Sequence, residues 1–174
     1  MGLRDHDFGG RKEIAAGISG VDLVSQVLEP MLSNAHLYRR SAGYFSSAIF
    51  SVASAGIHNF VSNGGQMKLL TSHAWQPKDQ AAVTRIEDDP DFAQALITDF
   101  EKSWEELDEN EVFQDHARAM CWMIQKGLLE IRVVTPSSED LREYRETQIF
   151  HQKFGLVTDA NGDQAGFTGS ANES

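Results

Sequence analysis

A chain of 174 residues, 41% apolar and 24% charged, is long enough for one domain with its own core and ordinary enough to exclude a fibrous or disordered protein. No apolar run reaches the ~20 residues of a membrane-spanning helix. The opening residues lack the apolar stretch of a secretory signal, and the single Cys121 leaves no internal disulfide, so a reducing cytoplasm is expected. The net charge of −11 argues against a polyanionic partner only until it is located. Residues 87–115 hold twelve acidic side chains and one basic one, and outside them acidic and basic residues balance at 14 each.

Residues 1–18 show no periodicity and read as an N-terminal arm; 19–174 read as the domain. Val21, Val24, Val27, Leu28, Met31 and Leu32 recur at helical spacing, with Ser19 as a cap and Pro30 bending or shortening the helix. His36 to Phe45 is strand-like. Ser46 or Ser47 then opens a helix with Ile49, Phe50, Val52, Ala53, Ile57, Phe60 and Val61 on its apolar side, and Asn63-Gly64-Gly65 stops it. Met67 to Thr71 is a short buried strand, which completes a βαβ unit. The turn at Ser46 and Ser47 presents N–H groups that favour an anion, so these residues are candidates for substrate binding; a plain helix cap is the commoner role.

A helical insertion follows, about 76–127. Lys78 to Glu87 forms one helix, and Asp88-Asp-Pro-Asp91 opens a second with acidic residues suited to a helix N-terminus. Phe92, Leu96, Phe100 and Leu107 make an apolar stripe on the second; Val112, Phe113, His116, Met120, Met123 and Ile124 do so on a third. The acidic residues take the outer faces, and Asp88, Asp89 and Asp91 lack the glycine and terminal glutamate of a calcium loop. No metal site is expected. His116 falls on an apolar face and reads as a hydrogen-bonded core histidine; His73, just past a strand, is the other histidine of interest. Leu129 to Thr135 is a strand closed by Pro136. Arg142 and Arg145 lie in the polar stretch beyond it, close upstream of His151, and are candidates to reach a phosphate chain; a surface role is at least as common.

The last 27 residues carry the chemistry. Two extended runs, 148–159 and 164–172, flank Asn161-Gly162, the pair that favours a two-residue type I′ turn. That loop predicts a register in which paired numbers sum to 323, so Lys153 faces Ser170 and His151 faces Asn172. Residues two apart share a strand face. An imidazole, an ammonium, a hydroxyl and an amide then form one square, while Phe150, Phe154, Leu156 and Phe167 take the core face. The square suits a phosphodiester: Lys153 supplies a compact positive charge, Ser170 and Asn172 supply neutral donors, and the His151 imidazole can serve as nucleophile or as acid/base near pH 7.

His151-x-Lys153 followed by Gly169-Ser170-x-Asn172 resembles the H-K-D signature of the phospholipase D superfamily. The segments Arg40-Ser-Ala-Gly-Tyr-Phe-Ser-Ser47 and Gly64-Gly-Gln-Met-Lys-Leu-Leu-Thr-Ser72 resemble the phospholipase-D-like domain of DEAD/DEAH-type helicases and defence-associated nucleases. The family's aspartate stands five residues after the lysine, where this chain has Thr158, with Asp159 next. The resemblance implies an α/β fold with a mixed, largely parallel sheet and helices on both faces. It also implies metal-independent phosphodiester cleavage through a phosphohistidine, with no cofactor. The partner implied is nucleic acid, DNA rather than RNA, and a helicase domain in the same polypeptide. The family's chemistry uses two copies of the signature, and this chain carries one. A homodimer mate, or sequence beyond a truncated C-terminus, is expected to supply the other. A non-catalytic phosphate-binding or assembly module is the alternative, and a lipid-acting enzyme is disfavoured because no membrane-facing stretch is present.

Overall fold

The computed structural model describes residues 2–5, 23–72, 75–106, 108–134 and 153–168. Its sheet has five strands: β1 (Ala35–Ala42), β2 (Gln66–Ser72), β3 (Leu129–Val134), β4 (Phe154–Asp159) and β5 (Gln164–Thr168). Their order is β3-β2-β1-β4-β5. β1, β2 and β3 run parallel, β4 lies antiparallel to β1, and β5 antiparallel to β4. The mixed, largely parallel sheet of an α/β protein is therefore present.

Helix α1 (Glu29–Ser33) continues a wider π-turn over Val24–Leu28, in which the Glu29 N–H reaches back to the Val24 carbonyl. Pro30 sits in the first turn of α1, where its missing N–H costs nothing. The helix expected between β1 and β2 is two pieces, α2 (Ala48–Val52) and α3 (Ser54–Ser62), broken at Ala53. The pieces serve different neighbours: α2 packs on α7 (His116–Gln125) and α3 packs on α1. A Cβ at Gly56 would stand 2.8 Å from the Glu29 Cα, so glycine is what lets α3 approach α1 so closely.

Asn63-Gly64-Gly65 ends α3 as expected. Gly64 has φ +71°, its N–H bonds the Val61 carbonyl, and the Gly65 N–H bonds the Phe60 carbonyl, which satisfies two terminal acceptors. Gly127 closes α7 in the same way, through bonds from Gly127 to Ile124 and from Leu128 to Met123.

The insertion between β2 and β3 comprises α4 (Pro77–Asp88), α5 (Pro90–Glu106), α6 (Glu109–Val112) and α7. Asp89 caps α5 by accepting the Phe92 N–H. The third expected helix is interrupted before His116, because Asp115 leaves helical geometry to accept the Arg118 N–H and start α7. Phe100, Trp104, Phe113 and Trp122 meet as an aromatic cluster, and His58 of α3 stacks on Trp104 at 4.4 Å.

Pairing sorts the strand residues by face. Tyr38, Met67, Leu129, Leu69, Ile131, Val157, Ala165 and Phe167 lie on one face and belong to a single core with the buried side chains of the helices. Among the described residues no helix joins the other face to that core, so the expectation of helices on both faces is met on one.

The start of the chain is not a loose arm over residues 2–5. Leu3–Asp5 forms a 3₁₀ turn, Leu3 is buried, and its N–H bonds the Asp159 carboxylate at 2.9 Å.

Candidate functional site at the carboxyl edge of the sheet

Three parallel strands deliver their carboxyl ends to one edge. The chain leaves β1 for β2 on one side and later returns to pair β4 on the other, so β1 marks the point where the winding reverses. Open α/β sheets bind ligands at such points, outside the carboxyl ends of the strands. β4 runs against β1, and Phe154 pairs with Ser41, one residue before β1 ends. Lys153, which precedes Phe154, therefore stands at that carboxyl edge, half-buried, its carbonyl accepting the Thr168 hydroxyl at 3.2 Å. His151, Ser170, Asn172, Arg142, Arg145 and His73 lie outside the described residues.

The hairpin differs from expectation in a way that bears on the site. The observed pairs, Phe154 with Thr168 through Thr158 with Gln164, sum to 322 rather than 323. The loop has three residues, Ala160-Asn161-Gly162. The Gly162 N–H closes a turn on the Asp159 carbonyl, and the Asp159 N–H bonds the Asp163 carbonyl at 3.0 Å. Only Gly162 has positive φ, at +84°, so this is a turn followed by a glycine bulge rather than a type I′ pair.

The Asp159 side chain is the reason. It accepts the N–H groups of Asn161 and Asp163, each at 2.9 Å, as well as that of Leu3. These bonds hold its carboxyl below the usual range, the Leu3 bond foremost. A one-residue change of register exchanges the faces of one strand relative to the other. Phe167 accordingly pairs with Gly155 on the core face, while Phe154 and Leu156 lie on the opposite face. The grouping of Phe154, Leu156 and Phe167 on one side is thus corrected. The pairing of Lys153 with Ser170 and of His151 with Asn172 rests on the sum of 323, which the described part of the hairpin does not follow.

Gly155 is required where it is. A Cβ there would stand 2.4 Å from the Phe167 ring. That ring in turn lies 5.1 Å beneath the guanidinium of the buried Arg40. The cation and the ring fill the space above the glycine, next to the start of β4.

Ser46 and Ser47 do form the strand-to-helix corner, and both are buried. Ser46 Oγ accepts the Ala48 N–H at 3.2 Å, an ordinary cap. The Ser47 N–H does meet an anion, but an internal one: it donates to Asp79 Oδ2 at 2.8 Å, and Ser47 Oγ lies 2.5 Å from Asp79 Oδ1. Asp79 is wholly buried in the first turn of α4. Ser47 therefore leaves neither its N–H nor its hydroxyl proton open to a phosphate in this arrangement.

The network extends further. Ser47 Oγ is 2.5 Å from His116 Nδ1, and His116 Nε2 is 2.8 Å from Lys78 Nζ. One proton order satisfies every contact: the ammonium donates to Nε2, Nδ1–H donates to the hydroxyl, and the hydroxyl donates to the carboxylate. This reverses the order of a hydrolytic triad, in which serine gives its proton to histidine. Ser47, with no exposed surface, is thus a link and not a nucleophile. His116 fulfils its reading as a hydrogen-bonded histidine.

Asp79 and Lys78 were not singled out from the sequence, and no local motif marks them: the partners stand 32 and 69 residues from Ser47, or 38 apart along the chain. Cys121, buried nearby, is pushed up to about 11, chiefly by burial and then by the charges of Asp79 and Asp115.

Two open hollows lie elsewhere, one of about 380 Å³ beside Trp75, Val83, Ile124 and Val133 and one of about 480 Å³ beside Trp104 and Trp122; neither includes Lys153. No protein-family model, curated protein or solved structure matches the chain.

Proposed function

We propose that the chain is a metal-independent phosphodiesterase acting on nucleic acid, working within a larger DNA-processing or helicase system in the cytoplasm. The observation that carries this reading is the placement of Lys153 at the carboxyl edge, at the winding reversal beside β1. Its motif neighbour His151 and the resemblance of the H-x-K and G-S-x-N segments supply the chemistry. His151 attacks phosphorus, and a P–N bond forms as the bond to the leaving oxygen breaks. A proton from a second acid, on a mate chain or a further segment, neutralises that oxygen, and water then releases the phosphate. Lys153 balances the negative charge of the transition state, and Ser170 and Asn172 donate to the phosphate oxygens.

Nuclease activity that persists in EDTA and is lost in His151→Ala is expected. EDTA-sensitive cleavage, or cleavage that survives the substitution, counts against the proposal. A second reading, phosphate binding without cleavage, draws on the shifted hairpin register, which does not support the four-residue square. Strand binding with no covalent phosphohistidine on denaturation favours that reading.

A further inference from the structure

The sheet face that no helix covers among the described residues is not neutral. Arg39, Lys68 and Glu130 occupy one cross-strand row, and Ser41, Leu70 and Arg132 occupy the next. Phe154 pairs with Ser41 in that second row. Arg39, Lys68 and Arg132 are exposed, and Phe154 is 43% exposed. Neighbouring strands are ~4.8 Å apart, so these groups form one compact patch.

Glu130 contacts both Arg132, at 2.6 Å, and Lys68, at 3.7 Å, and holds part of their charge. Among the described residues a local excess of two positive charges remains. The acidic residues that give the chain its negative balance belong to the helical insertion, on the other side of the sheet. Screening at ~8 Å in physiological salt leaves the patch to act on its own surroundings. A two-fold pairing of this face with itself would set cations against cations, which disfavours a second copy as its occupant.

We propose that this face is a platform for single-stranded nucleic acid, with backbone phosphates on Arg39, Lys68 and Arg132 and a base stacked on Phe154. An aromatic ring beside a basic track is the arrangement that binds single strands, whose bases are free to stack. Phe154 adjoins Lys153, so a strand held on the face leads to the edge where cleavage is placed. The inference rests on the nucleic-acid reading above and names its substrate as single-stranded.

The test is fluorescence anisotropy of a labelled oligo-dT strand with the full chain over a range of salt. Arg39→Gln, Lys68→Gln and Arg132→Gln together should weaken binding on the order of fiftyfold, at roughly fourfold per cation, and flatten the salt dependence by about two ions. Phe154→Ser should weaken it about fivefold or more without changing the salt slope. All four side chains are at the surface, and unchanged thermal melting confirms the fold. Hydrolysis of bis(4-nitrophenyl) phosphate, too small to span the patch, is measured in parallel.

Diester turnover with oligo-dT affinity indifferent to the substitutions overturns the platform and leaves the phosphodiesterase reading standing. The predicted losses without diester turnover uphold the platform and count against hydrolysis. Absence of oligo-dT binding by the unsubstituted chain, or a sedimenting dimer dissociated by the triple substitution, also overturns the platform.

Discussion

Replacing Asp79 tests whether the corner beneath the candidate site is held by a buried anion. Asp79 has no exposed surface and receives the Ser47 N–H at 2.8 Å and the Ser47 hydroxyl at 2.5 Å. In Asp79→Ala both donors lose their acceptor while remaining buried, at about 1–3 kcal/mol each. The combined loss is about 2–6 kcal/mol, a large share of a domain's typical ~5–15 kcal/mol. Asp79→Asn keeps one oxygen for the N–H and lets the hydroxyl turn, so its loss is expected nearer ~1–3 kcal/mol. Urea unfolding of Asp79→Ala, Ser47→Ala and the double variant supplies the coupling between the two residues. The pair shares bonds, so the double variant should fall short of the sum of the singles by ~0.5–3 kcal/mol. Full additivity, or an Asp79→Ala chain within ~0.5 kcal/mol of the parent, refutes the reasoning.

The remaining predictions concern the hairpin and the thiol. Backbone N–H groups, that of Leu3 foremost, lower the Asp159 carboxyl in the folded state. Its contribution is therefore present above the ordinary carboxylate range of ~4 and lost as pH falls through the lower folded value. Asp159→Asn should flatten the acid limb of a urea-stability profile, and an unchanged limb contradicts the assignment. Gly155→Ala drives a methyl to within 2.4 Å of the Phe167 ring. It should cost about 1–3 kcal/mol in urea unfolding and be partly relieved by Phe167→Leu; a neutral Gly155→Ala is inconsistent with the observed register. Cys121, buried and pushed up to about 11, should be inert to Ellman's reagent at pH 8 until the chain unfolds. Rapid native labelling would contradict its burial.

How far the fold is legible in the sequence follows from the range of the interactions involved. β1, β2 and their glycine-stopped connection were readable because helix periodicity and the Asn63-Gly64-Gly65 signal are local. The breaks at Ala53 and before His116 were not, since they answer to neighbours on α7, α1 and Arg118. Asn161-Gly162 marked the hairpin correctly but not its loop length. The Asp159 carboxylate, bonded to Asn161, Asp163 and distant Leu3, favours three residues over two and moves the register by one. The Ser47–Asp79–His116–Lys78 chain joins the turn before α2 to residues of α4 and α7, so only folded geometry brings it together. Lys153 was expected to bind phosphate; the structure puts it at the carboxyl edge of the sheet, because β4 opposes β1, while His151, Ser170 and Asn172 lie outside the described residues.

The most direct measurement of the central claim is acid-labile, base-stable trapping of label on His151. The full chain is mixed in EDTA with a 5′-³²P-labelled oligonucleotide, quenched in denaturant and mapped by peptide digestion. Label on the His151 peptide, lost in His151→Gln and retained in Asp79→Asn chains that still fold, is the predicted result once the quench is kept alkaline enough to preserve the P–N bond. Cleavage of the oligonucleotide with no label on that peptide, or label that persists after His151→Gln, contradicts it.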